Sequence, residues 1–112
     1  METFDINQVS AERAASGRLY REFLRRPTLS AGLYELAAGA EDPQKLHTED
    51  EVYYVLRGRA RFRSGGKDRP VAAGAVIFVP AREEHRFHTI TEDLSLLVLF
   101  APAEGSREIK GA

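Results

Sequence analysis

The run Glu51-Val-Tyr-Tyr-Val-Leu-Arg57 is β-branched and aromatic, and apolar at odd and even positions alike. It predicts a strand covered on both faces and ended by Gly58. Arg59-Ala-Arg-Phe-Arg63 alternates strictly, which turns Ala60 and Phe62 inward and three arginines toward water. Ser64-Gly-Gly-Lys67 reads as a hairpin turn. Val71 opens another short strand, and Gly74 turns the chain into Ala75–Val79, halted by Pro80. The most apolar run, Leu94–Phe100, predicts a last strand with Leu94, Leu96, Val98 and Phe100 on one face and Leu97 and Leu99 on the other. The first third is less regular. Ser10–Ser16 predicts a short helix with Ser10 as N-cap and Gly17 as stop. Leu19 with Phe23 and Tyr20 with Leu24 keep helical spacing. Leu29–Leu36 nevertheless looks like a hairpin partner, so 18–26 is read as a strand. Short strands between frequent glycines and prolines argue for an all-β sandwich or barrel.

Composition narrows the chemistry. The 112 residues suit one domain, 1–112. Lys and Arg total 16 against 17 Asp and Glu, a net charge of -1, so no nucleic-acid partner is expected. The absence of Cys excludes disulfides, Cys–zinc sites, iron–sulfur clusters and cysteine nucleophiles, so any metal must be held by carboxylates and the 3 His. No apolar run approaches the ~20 residues of a membrane span. The acidic N-terminus has no signal-peptide core, so a cytoplasmic address is expected.

Strand parity brings the candidate ligands together. Lys45, His47, Glu51, Tyr53 and Val55 are all odd-numbered, and an extended chain through them lines one wall. His85 and Phe87 share a face, with Arg86 and His88 pointing away. Two imidazoles and a carboxylate can thus meet inside a barrel. That donor set suits Zn, Fe, Ni, Co or Mn and leaves coordination positions open.

The spacing Gly39, Lys45, His47, Glu51, Gly58 resembles the first sequence motif of the cupin superfamily, and Gly74, Pro80, His85, Thr89 resembles the second. The wording from His47 to Gly58, with Val79-Pro-Ala and Glu84-His-Arg-Phe87, resembles the conserved-barrel group (Cupin_2). The motifs lie at 39–58 and 74–89. The resemblance implies a double-stranded β-helix, the cupin jelly-roll barrel, with a short N-terminal helix here. It places metal ligands at His47, Glu51 and His85. The family's first histidine falls on Lys45, its second-motif glycine on Arg82 and its asparagine on Thr89, where the local turn is expected to differ.

Lys45 has three readings: turned to solvent, leaving a three-ligand site with Gln44 either an oxygen donor or, as its parity opposite Lys45 favours, an exposed loop residue; set in the pocket for an anionic substrate; or paired with Glu51 in place of a metal. Lys45, Tyr53 and Phe87 are expected in the substrate pocket, Tyr53 first as a core aromatic with its hydroxyl satisfied. Glu49 and Asp50 read as a solvated acidic turn, Glu83-Glu84 as exposed, and Arg59, Arg61 and Arg63 as a solvated stripe. Small cupins resembling this chain commonly pair, which implies a homodimer built on 18–36. Two function classes follow: a metal-dependent enzyme of oxygenase or isomerase type with an Fe, Zn, Ni or Mn cofactor, or a non-catalytic protein that senses or stores a small molecule. No catalytic residue is assigned.

Overall fold

The structure, a computed structural model, describes residues 1–43 and 45–107. One helix, α1 (Ile6–Ser16), precedes six strands: β1 (Tyr20–Arg26), β2 (Leu29–Leu36), β3 (Asp50–Ser64), β4 (Lys67–Ala72), β5 (Val76–Val79) and β6 (His85–Ala101). All pairings are antiparallel. The sheet order is β1-β2-β6-β3-β4, with β5 also on β3. β5 pairs with the first half of β3 and β4 with the second, so both lie along the same edge of that strand. Pro70 is tolerated because β4 is an edge strand, where a missing N–H breaks no second ladder. The chain is all-β apart from one short helix, as the resemblance implies, and β1 and β2 form the hairpin expected of 18–36.

Several element boundaries differ from the sequence reading. Gly58 does not end a strand: β3 runs on to Ser64, and its register with β6 slips between Val55 and Arg61. Gly58 has φ +103, and a Cβ there would lie 2.3 Å from the Asp93 carbonyl oxygen, so glycine lets the two strands approach at the bend. The slip reverses parity. Glu51, Tyr53 and Val55 are buried before it, Ala60 and Phe62 after it. β6 likewise starts at His85 and switches from His85 and Phe87 to Ile90, Leu94, Leu96, Val98 and Phe100. These residues, with Leu36 and Val79, build the core.

The outer face is only partly covered. Val52 is half-buried but Tyr54 is 43% exposed, so the two-sided cover expected of 51–57 is incomplete. The helix also begins earlier than expected. Its N-cap is Asp5, whose carboxylate accepts the Asn7 and Gln8 N–H groups, and Gly17 closes it in the left-handed region. Ser10 lies inside the helix instead, and its hydroxyl donates to Glu35. The arginines of β3 face outward as expected: Arg61 and Arg63 pair with Asp68, and Arg59 with Glu92.

Candidate metal centre

Strand β3 delivers Glu51 and Tyr53 to the interior, β6 delivers His85, and the loop leading into β3 delivers His47. Ligand atoms of His47, Glu51 and His85 all lie within 4.8 Å of one another. Glu51 is 2% exposed and His85 7%, whereas His47 is half-buried at the cavity. Arg82 N–H donates to the His47 carbonyl at 2.7 Å, tying the loop to the β5–β6 turn. The His47 ring meets Phe100 edge-on, with centroids 4.8 Å apart.

The environment of His85 fixes its tautomer. Its Nδ1 is 2.8 Å from the Glu83 carbonyl oxygen, which can only accept, so Nδ1 carries a proton. Neutral His85 then turns a lone pair at Nε2 toward Glu51 Oε1, 2.9 Å away, and toward the Tyr53 hydroxyl at 3.1 Å, which can donate to it. Glu51 Oε1 is buried without a hydrogen bond. A lone pair and a carboxylate oxygen this close repel unless a cation lies between them. Burial alone would lower the His85 pKa, but Glu51, the Glu83 carbonyl and Asp42 together raise it above 6.5. A proton or a metal ion satisfies the same pair. The donor set and the orphaned oxygen therefore fit a divalent cation.

Beside the three donors lies a cavity of about 250 Å³. Its wall is apolar at Leu19, Pro43, Val98 and Phe100, aromatic at Tyr20, Tyr34 and Tyr53, and polar at Lys45 and Glu104. Tyr20 lies over Gly32, where a Cβ would come within 2.2 Å of the phenol. Burial pushes the phenols of Tyr20 and Tyr34 up, and Tyr34 donates to Asp42, whose other oxygen accepts the Phe87 N–H at 2.9 Å.

Placement of the remaining residues varies. Lys45 is exposed at the cavity mouth, and among the described residues no ion pair joins it to Glu51. Gln44 lies outside the described residues. Tyr53 is 1% exposed with its hydroxyl satisfied, and it also lines the cavity. Phe87 sits behind the site, packed on Tyr53 and Phe62 in the core, and not on the cavity wall. His88 is outside, against Asp68. Glu49 is not a solvated acid: it is 1% exposed and accepts from Thr48 Oγ1, Gly105 N–H and Arg107 N–H. Burial would raise its pKa, but those bonds and the nearby His47 hold it below the usual carboxylate value. Asp50 is exposed as expected, and Glu83 is half-buried, accepting from Ser64.

Sequence reasoning missed Glu104. Its Oε2 is 3.5 Å from His47 Nδ1. Burial, then Glu22, Glu51 and Glu49, raise its pKa to about 7, with Arg25 opposing. It follows Pro102 in a turn that carries no spacing signal, so only the fold could find it.

A family model for the cupin domain matches residues 32–100. The chain is 48% identical over 104 residues to an uncharacterized protein of Streptomyces coelicolor, covering 93% of this chain and 99% of that one. It is 34% identical over 83 residues to an oxalate-binding protein of Thermotoga maritima (73% of this chain, 60% of that one) and 31% identical over 90 residues to an acireductone dioxygenase of the fungus Tuber melanosporum (76% and 51%). The solved structure of TT1209 from Thermus thermophilus superposes with a TM-score of 0.73 at 25% identity, over 92% of this chain and 99% of that one. The match to the family model begins in β2 and ends in β6, so it takes in the three ligand candidates as well as the strands that hold them, and the chain belongs to the cupin family.

Proposed function

We propose that the chain holds one divalent metal ion on His47, Glu51 and His85 and acts on a small organic molecule in the adjoining cavity, as a metal-dependent enzyme of oxygenase or isomerase type. The observation that carries this reading is the buried, unbonded Glu51 Oε1 facing the Nε2 of His85, with His47 completing the set. When bound, the metal supplies Lewis-acid polarisation of a ligand oxygen or a redox centre, according to its identity among Fe, Zn, Ni and Mn. The chain itself supplies the rest. Tyr34, Val98 and Phe100 exclude water from the ligand, Lys45 offers charge to an anionic group at the mouth, and Tyr53 offers a hydroxyl beside His85. The relative named as a dioxygenase supports the enzymatic reading.

A second reading is a non-catalytic protein that binds or senses a small ligand. Two observations favour it: Lys45 stands where the family's first histidine would be, and one relative is named for binding oxalate. The protein works as a homodimer in the cytoplasm on either reading. Support for the dimer comes from Val76, Phe78 and Tyr54, which expose 70%, 61% and 43% of their surfaces on the outer face. Among the described residues no helix is long and apolar enough to cross a membrane.

Elemental analysis of the purified protein tests the reading. About one ion per chain, lost in His47→Ala, is expected. A wild-type protein free of metal after incubation with each of the four metals contradicts it and leaves the non-catalytic reading.

A further inference from the structure

Resting on the metal reading above, we infer that Glu104 is a positioning residue for His47, which makes the C-terminal turn a working part of the metal centre. A neutral histidine ligand uses one ring nitrogen for the metal and is held by a carboxylate or carbonyl at the other. Glu104 Oε2 faces His47 Nδ1 at 3.5 Å, ion-pair range, with the two side chains 32% and 18% exposed. A carboxylate there selects the tautomer with Nδ1–H, because the other tautomer would point a lone pair at it. Phe100 packs edge-on against the same ring, so one neighbour limits its tilt while the other biases its rotation.

The turn is built to hold that carboxylate in place. Glu104 N–H donates to Ser30 Oγ at 2.9 Å, and Arg25 Nη2 donates to the Glu104 carbonyl at 2.8 Å. Gly105 and Arg107 N–H groups donate to Glu49, two residues from His47. Every one of these bonds uses the backbone of the turn. Among the described residues the Glu104 carboxylate forms no ion pair except that with His47. Replacing the side chain therefore removes the contact with His47 and leaves the anchors of the turn.

Two measurements test the assignment. Nitrogen-15 NMR of the metal-free protein near pH 8, above the ordinary imidazole value of ~6.5, reads the His47 tautomer. Wild type is expected to show Nδ1–H, and Glu104→Ala to shift toward Nε2–H. Titration with Zn(II) alone should give an affinity about 10- to 100-fold weaker in Glu104→Ala. Glu104→Gln, whose amide oxygen can still accept, should fall between and carries the test if the Ala variant does not fold. A wild-type Nε2–H tautomer, or equal Zn(II) affinity in wild type and Glu104→Ala, overturns the inference. If wild type binds no Zn(II), the metal reading falls and the tautomer alone decides the role of Glu104.

Discussion

Arg82 and Thr89 take left-handed backbone angles, φ +65 and +49, at the two positions where the second cupin motif carries glycine and asparagine. Glycine and asparagine adopt such angles freely, so strain falls on Arg82, in the turn before β6, and on Thr89, within β6. Thr89 is β-branched, which makes the angle costlier. Thr89→Asn should therefore raise stability by about 1 kcal/mol in chemical denaturation. Arg82→Gly should gain less, since glycine also enlarges the unfolded ensemble. Loss of stability in Thr89→Asn would show that the threonine side chain contributes more than its backbone costs. Lys45→His should tighten Zn(II) binding, because it removes a cation from the cavity mouth and adds a donor nitrogen. An exposed ammonium is well screened, so the gain is expected near one factor of ten, ~1.4 kcal/mol. Clearly weaker binding would mean that Lys45 holds the loop in a geometry the metal needs. His47, Glu51 and His85 could be read from the sequence because strand parity and motif spacing both act locally. Glu104 and Asp42 could not, because a turn after β6 and a loop before β3 meet the site only through the fold.

In β3 and β6 the sequence pattern misplaces the strand bounds where the buried parity reverses. A glycine between two apolar runs reads as a stop, yet Gly58 is a bend inside a strand that continues. The helix start was hidden for a different reason. α1 buries only Val9, so it has almost no apolar stripe to read, and it docks by polar contacts instead. Ser10 Oγ and Arg13 Nε each lie 2.7 Å from Glu35 Oε1 on β2. Burial would raise the Glu35 pKa, but bonds from Ser10, Arg13 and Ser95 and the charge of Arg13 hold it below 4.5. The folded state thus binds this proton less readily than the unfolded chain. Its contribution is full above the ordinary carboxylate value and is lost as pH falls through the depressed one. Urea denaturation at about pH 7, 4 and 3 should show wild type losing more stability over the acid step than Glu35→Gln. Parallel curves for the two proteins would show that the helix is not held through this carboxylate.

At the scale of the whole molecule, the apolar surface lies elsewhere than the sequence suggested. In the 18–36 segment, Phe23 is covered by Phe4, with centroids 5.0 Å apart, and Tyr20 faces the cavity, leaving Leu19 exposed. Within the strands, the exposed large apolar side chains are Val76 and Phe78 on β5 and Tyr54, which pairs with Val76, on β3. Parity could not reveal this, since it identifies the two faces of a strand but not what covers each. Light scattering at micromolar concentration should give a mass near twice the 12.5 kDa of one chain, and Phe78→Lys should shift it toward the monomer. A wild-type monomer would mean that this apolar face tolerates water. The barrel also explains how a loop, β3 and β6 bring three donors to one point beside a mainly apolar cavity, and that convergence is the central claim. Equilibrium titration of Zn(II) into metal-free protein tests it most directly. Wild type should bind one ion per chain, and His47→Ala, Glu51→Gln and His85→Ala should each weaken binding by at least about tenfold while remaining folded. Binding that survives all three substitutions unchanged, or that never occurs in wild type, would contradict it.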